Sequence, residues 1–550
     1  MTGSTETAAA RDDGTYDYVI VGGGSAGCVL ANRLSVDPST RVLMLEAGGS
    51  DEHFWVQTPL GLPYILGNPR FDWRYASQPE PHLDGRSVVM PRGRVLGGSS
   101  SINGMVYVRG HAWDFDQWRQ AGNAGWAWED VLPYFKRHED YDRGASAAHG
   151  VGGELSVKDP GVRWEILDAY ADACVEAGIR RTKDYNGGDN EGVAYFDAMI
   201  RDGKRHSAAQ AFLKPVRQRP NLRVVTDAHV TRLLFDGRRA TGVEYRVAGA
   251  LRRAGAGAEV LLCAGAIGSP QILQLSGVGP ADLLAGLGIP VVQALAGVGE
   301  NLQDHWMVRM QHKVQGTRTL NFWAQNPVLK AAMGARYLLT KTGPMSAQPA
   351  LLAAFAKSTP SAAAPDIEVH VSAASYGKVG GPMHPFPGIT SSVGILRPTS
   401  RGTVRVASRD PDAHPAIVHN FLATEEDRRI ALESVALVRR IVAQPAMARF
   451  RPEEISPPPG VETEAEILAW TRSVLTTVFH PVGTCAMGRG ERAVVDERLR
   501  LHGVEGLRVV DASIMPTITS GNTCAPVLMI AEKAADMIRQ DARAGVARAA

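Results

Sequence analysis

Tyr16-Asp17-Tyr18-Val19-Ile20-Val21-Gly22-Gly23-Gly24-Ser25-Ala26-Gly27 decides how the chain begins to fold. Tyr16 to Val21 are mostly aromatic, β-branched or aliphatic, the pattern of a buried strand that stops at a glycine cluster. Ser25 to Leu34 then sets Ala26, Val29, Leu30 and Leu34 at helical spacing, and Val42 to Leu45 is a second apolar run ending at Glu46. This is a βαβ unit, and it predicts an α/β fold. Gly22-x-Gly24-x-x-Gly27 fits a dinucleotide fingerprint: one glycine for the tight turn, one for close approach of pyrophosphate, one for packing helix on strand. Amides at the helix start can hold phosphate. Such a pattern alone also serves as an ordinary strand-helix turn. The preceding strand, and a Glu46 placed to bind ribose hydroxyls, favour the nucleotide.

Outward from this unit, Val260 to Cys263 reads as a short buried strand followed by Gly265 and a helical stretch to Ser276-Gly277. Leu507 to Val510 reads as a strand and Ala525 to Ile538 as a helix. Strand-helix units hundreds of residues apart predict one discontinuous domain. The segment from 306 to 475 lacks such glycine turns and carries Pro457-Pro458-Pro459, which predicts a second domain inserted into the first.

The totals exclude several classes. With 59 Lys+Arg against 57 Asp+Glu in 550 residues, the net charge of +2 provides no global field for nucleic acid. Five scattered cysteines without a CxxC pair argue against a disulfide framework or a zinc knuckle, so no metal site is expected and a reducing compartment is. Residues 1–15 have no apolar core or basic start and read as a disordered leader. The longest uncharged apolar run, Leu283 to Gly299, is broken by Gly286, Gly288 and Pro290 and falls short of the roughly 20 residues of a membrane span. Glycine is in surplus: 58 residues, against roughly 7% in average usage.

Three further clusters can carry chemistry. Pro91 to Gly104 (PRGRVLGGSSSING) combines small residues, which let backbone lie against a flat ligand, with Arg92, Arg94 and serines that can meet phosphate or hydroxyl oxygens; it reads equally as a surface loop. Gly265 to Gly279 reads as a helix with its punctuation. Thr477 to Thr484 contains His480, whose backbone Pro481 biases to an extended form, and Asn522 stands just before the last helix. Asn522 reads either as a helix cap or as part of an electropositive helix start facing a group that becomes negative during reaction.

Taken together these clusters resemble the glucose-methanol-choline (GMC) oxidoreductases, a flavoenzyme family. The matched pieces are Tyr18 to Gly27, Gly93 to Asn103, Gly265 to Gly279, and His480 to Thr484 with Val509 to Pro516, spanning residues 16 to about 540. Stretches such as Asn301 to His305 and Ser400 to Arg405 resemble bacterial choline dehydrogenases and aliphatic-alcohol dehydrogenases. The resemblance implies a Rossmann-like FAD-binding domain with an inserted substrate-binding domain containing an antiparallel sheet. The expected FAD domain is 16–158, 196–305 and 485–540, the substrate domain 159–195 and 306–484, with 541–550 a tail.

It also implies contacts to FAD. The adenine half would lie on Gly22, Gly24, Ser25, Ala26 and Gly27, with Glu46 and Ala47 beside it and Val230 near the base. Arg94, Leu96, Gly97, Gly98, Ser99, Asn103, Gly104, Met105 and Val106 would lie along the flavin. Ala264, Asp511, Ala512, Asn522 and Thr523 would close over it. His480 aligns with the catalytic histidine, accepting the hydroxyl proton as hydride passes to flavin N5, and Asn522 would hold the substrate oxygen. Some relatives attach the flavin through a histidine where this chain has Ile102, so FAD is expected to be non-covalent. Choline-oxidising relatives carry a glutamate where Leu351 to Phe355 stands here, and a quaternary ammonium wants a carboxylate or an aromatic cage.

The expected activity is therefore oxidation of a neutral primary alcohol to the aldehyde. Choline oxidation, a peroxide-producing oxidase and a hydroxynitrile lyase are the alternatives, and a catalytically silent binding protein is disfavoured by intact His480 and Asn522. The electron acceptor, whether quinone, soluble carrier or oxygen, stays open. The expected location is cytoplasmic, with peripheral contact at the inner face of the membrane left open.

Overall fold

A computed structural model describes residues 10–377 and 381–549. The strand Arg11–Val21 lies at the middle of a seven-stranded sheet, between Val42–Leu45 and Ala250–Leu262 and parallel to both. Leu222–Val225 continues the parallel order beyond Val42–Leu45. The long strand Ala250–Leu262 serves two neighbours. Its first half pairs antiparallel with Arg239–Val247, and its last residues pair in parallel with Leu507–Val509. Val19, Ile20, Val42 to Met44 and Val260 to Leu262 are fully buried, as strands covered on both faces require.

Two expectations at the ends are corrected. The first strand starts at Arg11, within the stretch expected to be a disordered leader. There Arg11, Asp12 and Thr15 pair with Arg252, Arg253 and Gly255, and the buried Asp13 carboxylate is ion-paired with Arg252 and Arg223; these ladder and charge contacts outweigh a polar composition. Residues 1–9 of that leader lie outside the described residues. The helix Cys524–Ala549 runs through what was expected to be the tail, tied down by Asp541 at 2.8 Å from Arg498 and 2.7 Å from Arg508; residue 550 lies outside the described residues.

The second sheet is antiparallel, in the order Glu453–Ser456, Trp306–Lys313, Gly388–Ile395, Ile367–Ser372, Leu352–Ala356, Gly192–Tyr195. Alternation gives it two unlike faces. Trp306, Val308 and Met310 pack with Val369, Val371 and Val393 against the helices Glu165–Glu176 and Glu425–Val442. Met307, Arg309, His370, Ser372 and Ser392 project from the other face into a cavity shared with the first sheet.

Candidate active site

That cavity, of about 480 Å³, falls in the usual range for a ligand site. Most residues singled out in the sequence line it: Gly22, Gly24, Ser25, Ala26, Glu46, Ala47, Gly98, Ser99, Asn103, Gly104, Met105, Val106, Val230, Ala264, Asp511, Ala512, Asn522, Thr523 and His480. Four do not. Gly27 abuts the Gly22 carbonyl, where a Cβ would come to 2.0 Å, so it serves helix packing. Leu96 is buried, the Gly97 amide donates to the Gly23 carbonyl, and the Arg94 guanidinium lies 5.0 Å from the Trp73 ring centroid.

The glycines test whether a long nucleotide fits. At Gly22 an added Cβ would meet the Cys263 carbonyl at 2.6 Å, and at Gly98 it would meet the Gly24 Cα at 2.7 Å, so the two glycine loops touch each other. Gly24, Gly104 and Gly265 also line the cavity, yet a Cβ there meets nothing closer than 3.9 Å at Gly24 and nothing within 4 Å at the others. Their missing side chains leave room for a ligand rather than for protein, and the residues fit FAD. Glu46 accepts the amides of Gly23 at 2.8 Å and Gly48 at 2.7 Å; burial pushes its carboxyl up to about 7 against the pull of those amides. Asp511, likewise raised by burial, accepts the Gly265 and Ser513 amides at 2.8 Å and so ties the Gly265 turn to the C-terminal strand.

His480 is almost fully buried between two partners. Asn522 Nδ2 donates to its Nε2 at 3.1 Å, and its Nδ1 lies 3.0 Å from His305 Nδ1. His305 Nε2 is 2.9 Å from the Leu396 carbonyl, which can only accept. His305 therefore carries its hydrogen on Nε2 and offers a bare Nδ1; His480 must carry its hydrogen on Nδ1, which leaves its Nε2 unprotonated and accepting from Asn522. Burial, with lesser repulsion from His305, His370 and Arg92, holds His480 well below the usual histidine range. A neutral imidazole whose unprotonated Nε2 meets Asn522 at the cavity wall is the outcome.

The loop carrying His480 is fixed from behind. Gln303 and Val482 exchange backbone hydrogen bonds at 2.9 and 3.0 Å, and the Val478 amide donates to the His305 carbonyl at 2.9 Å. Asp304 accepts the His480 amide at 2.8 Å and the Thr477 hydroxyl. Behind Asp304 stands His419, 3.5 Å from it and 3.2 Å from Glu80, all three buried. Burial opposes charge on His419, but hydrogen bonds and charges of Asp304 and Glu80 raise it to about 9. The sequence assigned no role to His305, Asp304 or His419. Each acts through a partner far away in the chain; Asp304 and His305 lie in the Asn301 to His305 stretch that resembles relatives, and no local pattern marks His419.

On the substrate side, Arg309, Ser392 and His370 form one row across three paired strands. No carboxylate lies within 4.0 Å of Arg309 among the described residues. Glu368, one rung along from His370, approaches its Nε2 at 2.6 Å. A cation, a hydroxyl and an imidazole thus face the cavity opposite the glycine loops.

Comparison with known proteins agrees with this geometry. Two family models described as GMC oxidoreductase match residues 16–307 and 398–531. An oxygen-dependent choline dehydrogenase of Serratia proteamaculans is 45% identical over 96% of both chains, and one of Escherichia coli is 44% identical over 95% of this chain and 94% of its own. Among solved structures, a pyridoxine 4-oxidase from Mesorbium loti is 33% identical with a TM-score of 0.86, covering 96% of this chain and 99% of its own. A fungal aryl-alcohol oxidase is 26% identical with a TM-score of 0.85 over 96% and 99%.

Proposed function

This chain belongs to the GMC oxidoreductase family, and from that premise we propose that it oxidises a neutral primary alcohol to the aldehyde with His480 as base. It is an FAD-dependent oxidoreductase acting on CH–OH donors. FAD, when bound along the glycine loops, supplies the two-electron acceptor. The chain's own residues handle the proton and the oxygen. His480 Nε2, unprotonated and at present accepting from Asn522 Nδ2, takes the hydroxyl proton once the substrate oxygen stands between the two side chains and Asn522 donates to that oxygen instead. His305 Nδ1 keeps the His480 ring in the accepting tautomer. The single observation that carries this reading is the hydrogen-bonded line Leu396–His305–His480–Asn522 at the cavity wall.

A second reading, choline oxidation, is favoured by the names of the curated relatives. Against it stands Arg309, a cation lining the cavity that would repel a quaternary ammonium. Ile102 at the cavity wall supports dissociable FAD, since an alkyl side chain cannot bond to the ring. The five cysteines are unpaired, which suits a cytoplasmic location. An alcohol panel with an artificial dye acceptor, run beside a peroxide assay, tests substrate and acceptor together. Turnover of medium-chain or aromatic alcohols is expected; choline alone turning over would overturn the preference.

A further inference from the structure

From His305 to Pro365 the chain has no Asp or Glu and seven Lys or Arg, although acidic residues number 57 in the whole 550. This stretch contains the helix Pro327–Thr340, whose amphipathic pattern is inverted. Tyr337 is buried on its inner side, while Val328, Ala331, Ala332, Ala335, Leu338 and Leu339, spaced three and four apart, form one stripe facing outward. Leu339 is 84% exposed, Val328 76% and Leu338 59%. Arg336 flanks one edge of the stripe, while Lys330 and Lys341 stand further round the helix toward Tyr337, the Lys341 ammonium 4.7 Å from that ring's centroid; with Arg318, none of them has a carboxylate within 4.0 Å among the described residues.

The patch extends past the helix. Phe54, whose ring lies 6.5 Å from Tyr337, and Tyr64, stacked on Trp55 at 3.9 Å, are both exposed. Phe322, on the preceding helix Leu320–Gln325, is exposed as well. The neighbours of these side chains, Leu62, Pro63 and Leu320, line the active-site cavity. The apolar patch and the cavity wall therefore share the same short segments.

We propose that this face docks on an anionic lipid surface, with the Val328–Leu339 stripe entering the headgroup–acyl boundary and Lys330, Arg336, Lys341 and Arg318 pairing with lipid phosphates. Charge decides the occupant. An outward apolar stripe would suit a second copy of the chain equally, but unpaired cations around it, in a segment with no acid, would repel the same face of another copy and attract anionic headgroups. No helix among the described residues is long and apolar enough to cross a membrane, so the contact is peripheral. A lipid-soluble substrate or acceptor would then enter the cavity directly from the bilayer.

The test is co-sedimentation of the flavin-loaded full chain with vesicles. Equimolar phosphatidylglycerol and phosphatidylcholine should bind it roughly tenfold or more better than phosphatidylcholine alone, and about 0.5 M salt should release much of it. Leu338→Asp with Leu339→Asp, and separately Lys330→Glu with Arg336→Glu, should each lose vesicle binding while keeping dye-linked turnover in the absence of lipid. Equal binding to both vesicle types, no binding to either, or full binding by both variants would overturn the proposal. So would a wild-type dimer that ignores vesicles and becomes monomeric in the Leu338→Asp, Leu339→Asp variant, which would assign the face to self-association. The salt and lipid dependence of the unmodified protein decide the matter even if a variant misfolds.

Discussion

His305 and His480 meet nitrogen to nitrogen, Nδ1 to Nδ1 at 3.0 Å, and this contact can be a hydrogen bond only because the Leu396 carbonyl holds the single hydrogen of His305 on the far side of its ring. A backbone oxygen thus sets which nitrogen of His480 carries the hydrogen. Replacing His305 with Leu leaves the His480 N–H buried without an acceptor, a penalty of about 1–3 kcal/mol that its other tautomer avoids by protonating Nε2. The expected result is a kcat about ten- to hundredfold lower with flavin content unchanged. His305→Gln, whose amide oxygen can accept, should restore part of the loss, and steady-state kinetics on the pair would reveal it.

His480 itself should be worth more. His480→Ala is expected to lower kcat about 10²–10⁴-fold, the usual contribution of a positioned base, with flavin still bound. Because burial depresses its pKa well below 6.5, the base stays neutral as pH falls through 6.5. The pH profile of kcat/KM should therefore be flat through that value, with its acid limb well below it; a limb centred near 6.5 would contradict the burial seen here.

The Glu80–His419–Asp304 cluster makes a prediction about stability. His419 is raised from 6.5 to about 9, so the folded chain binds its proton more tightly than the unfolded chain does. The stabilisation, on the order of 3 kcal/mol, is fully present below pH 6.5 and is lost as pH rises to about 9. Thermal midpoints should fall across that window in the unmodified protein. His419→Asn, lower overall, should show a flatter dependence.

Two glycines of one fingerprint should respond in opposite ways. Gly24→Val places its side chain in the cavity, where the nearest protein atom to a Cβ is 3.9 Å away, so the protein should fold yet purify without flavin. Gly27→Ala would set a Cβ 2.0 Å from the Gly22 carbonyl and should impair folding itself. Circular dichroism beside the flavin absorbance of the purified proteins separates the two outcomes.

What the sequence revealed was what sits close together in the chain. The strand, turn and helix from Tyr16 to Leu34 and the acid at Glu46 form within one βαβ unit, whose turn residues Gly22, Gly24, Ser25 and Ala26 and whose Glu46 line the cavity. Gly27, Leu96 and Gly97 belong to the same motifs but face protein, a distinction of side-chain direction that spacing does not carry. His305 escaped because its role depends on a carbonyl 91 residues away and a ring 175 residues away. Arg11 to Thr15 looked like a leader because their partners, Arg252 to Gly255, lie far along the chain and supply through pairing the order that composition lacks.

The split strand Ala250–Leu262 also has a consequence for how the protein is made. Its last three residues wait for Leu507–Val509, and His480 waits for Asn522, while the nucleotide turn at Gly22 to Gly27 leaves the ribosome hundreds of residues earlier. A chain stopped short of Asn522 has the phosphate turn and the base but lacks the residue that would hold the substrate oxygen. Such products of interrupted translation would be chemically idle. On the role proposed for Asn522, completion of the polypeptide is a condition for turnover.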